Sequence, residues 1–256
     1  MIAKYYGMVK CIDDNVGKIL DALKAEGVME NTIVVFTADH GDLCGEHARD
    51  NKGVPYEGSA KIPFILYYPA KIEAGTVVPQ ALGCLDFAPT ILGLMGVDSS
   101  ALKTEGRDAS ALFLGAPPRD WKDVAIFRIG RGNSGYVAAA TARYKFIVSA
   151  GDEPWLLDLR EDPEELNNLF HDPARRDVVR ALGAELLAYC QTQAEPHWEN
   201  PLIQADLKWC AEGQGEYPGR PKDAPPAEEI ADEESAAAKP RNAAKKAARK
   251  NANARK

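Results

Sequence analysis

Thr32–Pro69, TIVVFTADHGDLCGEHARDNKGVPYEGSAKIPFILYYP, is the stretch that decides the fold. Thr32, Ile33, Val34, Val35 and Phe36 make a short β-branched run, the pattern of a strand covered on both faces as in a parallel sheet. The run ends abruptly in Asp39, His40, Gly41 and Asp42. In open α/β sheets ligands bind in the crevice beyond the carboxyl ends of strands, so an Asp-His pair at such an end is a site candidate from position alone. A second apolar run, Ile62 to Tyr68, is bracketed by prolines, and between the two lie Glu46, His47, Lys52, Tyr56 and Glu57.

Working outward, apolar residues at Val9, Ile12, Val16, Ile19, Leu20 and Leu23 recur with the period of a helix that has one buried face, and Gly27 is placed to end it. A helix leading directly into strand 32–37 is half of a βαβ crossover whose first strand does not appear, so the chain is expected to start in mid-fold. Leu85 to Gly96 reads as a short helix, with Asp86 near its start and Pro89 in its first turn. A Gly, Ser and Pro-rich loop runs on to about Arg119. From Val124 the texture becomes short runs, Val124–Ile129, Tyr136–Thr141, Tyr144–Val148 and Trp155–Leu159, which predict an antiparallel sheet. Asp162-Pro163 breaks that pattern, and a helix from about Pro173 to Gln191 follows. Beyond Glu195 periodicity is lost, and from Pro218 the composition predicts a disordered tail.

Bulk properties narrow the function classes. The net charge of −7 hides an asymmetry, because eight of the 31 Lys and Arg lie from Lys239 to the end with no acid among them. The body that remains sets 23 basic against 38 acidic residues, near −15, and would repel nucleic acid rather than attract it. The basic tail reads as a solvated extension, with a contact to acidic polymer as the alternative. No apolar run approaches the roughly 20 residues of a membrane span, and no signal segment follows Met1. The five cysteines show no C-x-x-C spacing, so neither a zinc site nor a full disulfide framework is signalled.

Each polar residue of the loop admits two readings. Asp39 and His40 are placed to reach one cation, or to cap the next turn and bond the backbone. Carboxylate oxygen suits calcium, magnesium or manganese, and imidazole shifts the preference toward manganese or another transition metal. Lys52 beside such a site would meet a sulfate or phosphate oxyanion, or be a solvated surface charge. His47 would assist leaving-group protonation or brace the loop. Tyr56 and Glu57 would orient it, with Glu57 able to hold Lys52.

The ordered set T-A-D-H-G-D, G-E-H, N-K, Y-E-G-S and K-I-P-F-I resembles the C-terminal half of the sulfatase family in the alkaline-phosphatase-like superfamily. Leu85-Asp86-x-Ala88-Pro89-Thr90-Ile91-Leu92, Gly106-Arg107, and Leu157-Asp158-Leu159 through Asp162-Pro163-x-Glu165-x-Asn167-Asn168-Leu169 match that family's continuation, so the likeness runs from about Tyr5 to Gln191. The resemblance implies an α/β fold: residues 1–122 as the C-terminal half of a parallel-sheet catalytic domain, 123–215 as a small antiparallel-sheet subdomain with one packed helix, and 216–256 as the basic tail. It implies that Asp39 and His40 are ligands of a divalent metal, calcium in most of the family and Mn2+ or Mg2+ in keeping with His40. Lys52 would contact the transferred sulfate and the ester oxygen.

Many sulfatases have Asn where this chain has His40; His there is similar to the related phosphonate monoester and phosphodiester hydrolases. The family's nucleophile is a formylglycine made from Cys or Ser within C/S-x-P-x-R. No cysteine or serine of this chain stands in that context. The expectation is a sulfated small molecule or glycan as substrate, inactivity of this chain by itself, and self-association through an exposed sheet edge. Full-length relatives are often periplasmic or secreted; this chain carries no signal of its own.

Overall fold

The computed structural model describes residues 2–130 and 135–220. Of the expected tail 216–256, residues 221–256, with Lys239 onward, lie outside the described residues, whereas Tyr217 and Arg220 bond Asp206. Two compact units emerge. The first comprises Met1–Ile126 with Ala140–Tyr144 and Pro163–Glu165, and the second Phe127–Ala139, Lys145–Asp162 and the chain from Leu166.

In the first unit the expected helix is α1, Ile2–Ala25. Gly27 ends it at φ 67°, where its N–H reaches the Lys24 carbonyl and the Val28 N–H reaches that of Leu23, closing the last turn through a left-handed residue that glycine adopts without steric cost. The expected buried face does not materialise. No residue of α1 is buried, and Ile12 and Ile19 are 53% and 59% exposed. The apolar period is a property of the helix, whereas burial needs a second surface: Val9, Ile12 and Ile19 stay exposed, and Val16, Leu20 and Leu23 are only half-buried.

Strand β1, Val34–Thr37, is likewise not covered on both faces, since Phe36 and Thr37 are exposed. It pairs antiparallel with β2, Phe64–Tyr67, placing Val34 opposite Tyr67 and Thr37 opposite Phe64. Consecutive strands of mostly parallel sheets can pair this way at an edge, and an apolar run does not encode strand direction. Between them sits one turn of helix, α2, Glu57–Ala60. Helices α3, Phe87–Met95, and α4, Ser110–Phe113, complete the unit. Asp86, just before α3, is buried and accepts the N–H groups of Gly83 and Arg107 and one terminal nitrogen of the Arg107 guanidinium at 3.0 Å. That guanidinium also stacks over Trp121. A buried carboxylate met by two main-chain N–H groups and two guanidinium nitrogens is a satisfied structural group.

The second unit is built on a four-stranded sheet in sequential order, β3 (Ala125–Ile129), β4 (Tyr136–Ala140), β5 (Tyr144–Ser149) and β6 (Trp155–Asp158). Connections this short join antiparallel neighbours. Tyr136, Ala138, Ile147 and Leu157 form its buried cluster, with Phe127, Ile129 and Trp155 against them. Asn168 pins the edge by accepting the Leu156 N–H and donating to the Pro154 carbonyl.

The expected helix near 173–191 is α5, Arg176–Thr192, which buries Val179, Leu182, Leu186 and Leu187. It is joined by a second helix where the sequence offered no period, α6, Pro201–Glu212. Asn200 caps α6 by accepting the Leu202 and Ile203 N–H groups, and Pro201 occupies its first position. Its buried face includes Asp206 beside Ile203, Leu207 and Cys210, and that carboxylate interrupts the apolar pattern. Buried Asp206 is matched by Arg220 and Tyr217. The two helices cross closely at Gly183, where an added Cβ would lie 2.7 Å from the Cys210 Cβ. Arg176 donates to the carbonyls of Trp209, Cys210 and Gly213, satisfying the free end of α6. Among the described residues no helix is long and apolar enough to cross a membrane.

The cysteines divide by this packing. Cys11 and Cys84 are exposed, whereas Cys190 and Cys210 are buried. Burial pushes the Cys190 thiol up to about 12 and that of Cys210 higher still. Only thiolate reacts readily with iodoacetamide. At about pH 8, labelling followed by mass spectrometry is expected to modify Cys11 and Cys84 and to spare Cys190 and Cys210 until the chain is denatured. Equal labelling of all four in the native chain would show that α5 and α6 do not pack as described.

Candidate functional site

The loop between β1 and β2 is held by its own main chain. Leu43, 1% exposed, is its apolar anchor. The Leu43 N–H bonds the Asn51 carbonyl at 2.7 Å, and Gly45 N–H bonds Arg49 at 2.9 Å, so the chain folds back on itself around the tip at 46–48. Four residues other than glycine, Cys44, His47, Ala48 and Asn51, have φ between 49° and 68°. Backbone of this kind costs about 1–3 kcal/mol per residue and persists where the surroundings over-determine it, often at functional sites.

The clamp is α2. The Gly41 N–H donates to the Ser59 carbonyl at 2.9 Å, and the Gly53 N–H donates to the Ser59 hydroxyl at 3.0 Å. Ser59 is 4% exposed. One buried residue therefore fastens both the turn that follows Asp39 and His40 and the segment that follows Lys52. The approach is tight enough that a Cβ on Gly41 would fall 2.1 Å from the Gly58 carbonyl oxygen. No side chain fits there, which is the physical reason for glycine at position 41.

Asp39 and His40 emerge from β1 with side chains 88% and 42% exposed. Asp39 Oδ1 accepts the His40 N–H at 3.0 Å, and His40 Nδ1 lies 2.8 Å from the Gly41 carbonyl oxygen. A carbonyl can only accept, so Nδ1 carries a proton, and Nε2 is the ring nitrogen that a ligand would use. Nε2 stands 3.6 Å from Asp39 Oδ2. Two donors on one cation, each at about 2.0–2.4 Å, lie roughly 3 Å apart, so this pair fits part of a coordination shell. Among the described residues no group of three or more His, Cys, Asp or Glu could hold a metal ion.

Asp42 turns inward to accept the Cys44 N–H at 2.9 Å and its thiol at 3.4 Å. Partial burial and that bond hold the Cys44 thiol above its ordinary range, so it is no ready nucleophile. His47 stacks flat on Tyr56, ring centroids 3.7 Å apart and planes at 10°. Lys52 is half-buried beside Gly53. Glu57 pairs with Lys61 at 3.3 Å.

A sequence model of the Sulfatase family matches residues 1–97, and the chain is 31% identical over 208 residues to an arylsulfatase of Clostridium perfringens. Residues 1–97 thus carry a Sulfatase-family match, and the chain corresponds to part of a sulfatase-like protein. The arylsulfatase match covers 79% of this chain and 43% of the relative, so the chain spans less than half the length of the curated protein it matches. Its structure is similar to that of a protein solved in complex with its substrate D-glucosamine-2-N,6-O-disulfate, at a TM-score of 0.62 and 28% identity, covering 77% of this chain and 40% of the other. It is also similar to a phosphonate monoester hydrolase of Agrobacterium radiobacter, at 0.59 and 26%, covering 74% and 40%. The alkaline-phosphatase-like α/β class is thereby established for this chain, as part of the fold.

Two residues stand within the quoted motifs without a role that the sequence assigns, Ser59 and Glu165. A four-residue helix is too short for a periodic signal, and the serine looks like any loop serine. Gly41→Ala in this chain is expected to lower stability by roughly 1–3 kcal/mol in urea unfolding, the cost of forcing a methyl group into packed backbone. Gly7→Ala, where nothing lies within 4 Å of the new Cβ, is expected to raise it by about 0.5–1 kcal/mol. A neutral Gly41→Ala would mean that the turn is not clamped on α2.

Proposed function

We propose that this chain supplies the cation-holding and oxyanion-holding part of a sulfate-ester hydrolase site. The observation that carries the reading is the Asp39–His40 pair at the end of β1, with the His40 tautomer fixed by Gly41 and Nε2 turned to the same side as Asp39 Oδ2. These two residues hold a divalent cation: calcium by family resemblance, with manganese or magnesium compatible with one carboxylate and one imidazole. When bound, the cation polarises the sulfate oxygens and neutralises their charge. Lys52 meets the transferred sulfate and the ester oxygen as a point charge, with its segment fixed through Gly53 and Ser59. His47, stacked on Tyr56, braces the loop, with protonation of the leaving group as its alternative role. Metal dependence and a formylglycine nucleophile are inferred from the family. No cysteine or serine here has the C/S-x-P-x-R context to provide that nucleophile, so the chain alone is expected to be inactive.

The substrate class is a sulfated small molecule or glycan, a reading supported by the disulfated glucosamine bound by a structural neighbour. A second reading, hydrolysis of phosphonate monoesters or phosphodiesters, is favoured by His40 and by the likeness to the Agrobacterium enzyme. A non-catalytic role for a sulfatase-derived domain is the third.

Titration of the 256-residue chain with Mn2+ and Ca2+ by calorimetry is expected to show one site that weakens about tenfold or more in Asp39→Ala or His40→Ala, as loss of one of few ligands requires. Binding unchanged in both variants would remove them as ligands. Turnover of an aryl sulfate by the unmodified chain would overturn the predicted inactivity. Aryl sulfate against aryl phosphonate, offered to a chain that contains C/S-x-P-x-R, separates the two ester classes.

A further inference from the structure

We propose that Glu165 is a positioning residue for this site, acting through α2 and Ser59 on the two segments that carry Asp39, His40 and Lys52. The proposal deepens the reading above and rests on it for the meaning of those three residues.

Glu165 lies 108 residues from the helix it caps, and its Oε2 accepts the Glu57 N–H at 2.6 Å. Glu57 is the first residue of α2, and Tyr56 before it makes no side-chain cap. A carboxylate at a helix N-terminus receives a charge-assisted bond and meets the positive end of the peptide dipoles. The carboxylate is committed to this place, because Glu165 is 3% exposed whereas its neighbour Glu164 faces solvent.

Its backbone is committed as well. Asp162 Oδ2 accepts the N–H groups of Leu166 and Asn167 at 2.8 and 2.7 Å, closing a turn in which Glu165 takes φ 54°. Among the described residues six other than glycine have positive φ; four are in the loop at 44–51 and a fifth is Glu165, bonded to the helix that clamps that loop. From α2 the order passes along main-chain groups. The Ser59 and Ala60 N–H groups bond the Tyr56 carbonyl, the Ser59 carbonyl holds Gly41, and the Ser59 hydroxyl holds Gly53. Gly58 is backed by the Glu46 carboxylate, 2.3 Å from where its Cβ would be. Displacing the N-terminus of so short a helix therefore moves both anchor points together.

Amide hydrogen exchange of the full chain, read residue by residue by NMR, tests this. Glu165→Ala is expected to raise exchange at Gly41 and Gly53 about tenfold, the response to losing a buried hydrogen bond to a charged group. Val137 and Val148 in the sheet should stay protected. Glu165→Gln keeps a carbonyl acceptor and should lose less, and Glu164→Ala should match the unmodified chain. In parallel, Mn2+ binding should weaken about fivefold in Glu165→Ala, a response that follows from a misplaced ligand turn. Unchanged exchange at Gly41 and Gly53 in Glu165→Ala would overturn the proposal. So would loss of protection throughout the sheet in both Glu165 variants, which would make Glu165 a general stabilising residue. If the unmodified chain takes up no Mn2+, the cation reading of Asp39 and His40 falls, while the amide exchange still decides the role of Glu165.

Discussion

The bond from the Gly41 N–H to the buried Ser59 carbonyl closes the loop between β1 and β2 and sets where Asp39 and His40 leave the strand. It forms only because Gly41 has no side chain at the point where its backbone nearly touches the Gly58 carbonyl. With that contact made, the strained residues from Cys44 to Asn51 have somewhere to store their cost, and Leu43 fills the space beneath them. The Ser59 hydroxyl extends the same constraint to Gly53, next to Lys52. A single turn of helix thereby holds in register two segments that a flexible loop of this length would let drift, and pre-positioning of charged groups is where sites of this kind gain most.

Buried polar groups are satisfied in both units, as Asp86 is by Gly83 and Arg107 in the first, and the open Asp39–His40 pair stands apart from them. In the second unit Glu195, 3% exposed, meets His197 Nδ1 at 3.1 Å and Arg128 Nε at 2.8 Å, while His197 Nε2 lies 2.9 Å from the Ile129 carbonyl. Asp206, Tyr217 and Arg220 are likewise matched among themselves. Buried polar groups satisfied in this manner rigidify a domain and leave no valence for a ligand. In the first unit Asp39 and His40 stand open to solvent with one ring nitrogen uncommitted. Exposure of a carboxylate and an imidazole on the same side is tolerable in water and is what a bound cation would use, in keeping with the role proposed for the β1 end.

Much of this was legible in the residues. The 3.6-residue period of α1 and α5, the left-handed glycine after α1, and the short runs of the second sheet are local properties that a sequence states directly. The Asp-His pair at a strand end was visible for the same reason, and the order of motifs was enough to indicate the sulfatase family. Helix α6 was half-legible, since Asn200-Pro201 is a start signal, but Asp206 on its buried face broke the period.

What the sequence determined alone, then, is the longer helices α1, α3 and α5, the short strands and which ionisable groups gather after β1, because helix period, β-branching and turn chemistry act between near neighbours, whereas α2, α4 and α6 carried no such period. What only the tertiary structure decided is that β1 and β2 run antiparallel, that Val9, Ile12 and Ile19 of the α1 stripe stay exposed, and that Ser59 bonds Gly41 and Gly53 while Glu165 bonds the start of α2. The physical reason is common to the pairing and the ties. They run through backbone N–H and carbonyl groups brought close by folding, and those groups are the same in every residue, so no side-chain pattern announces which will meet.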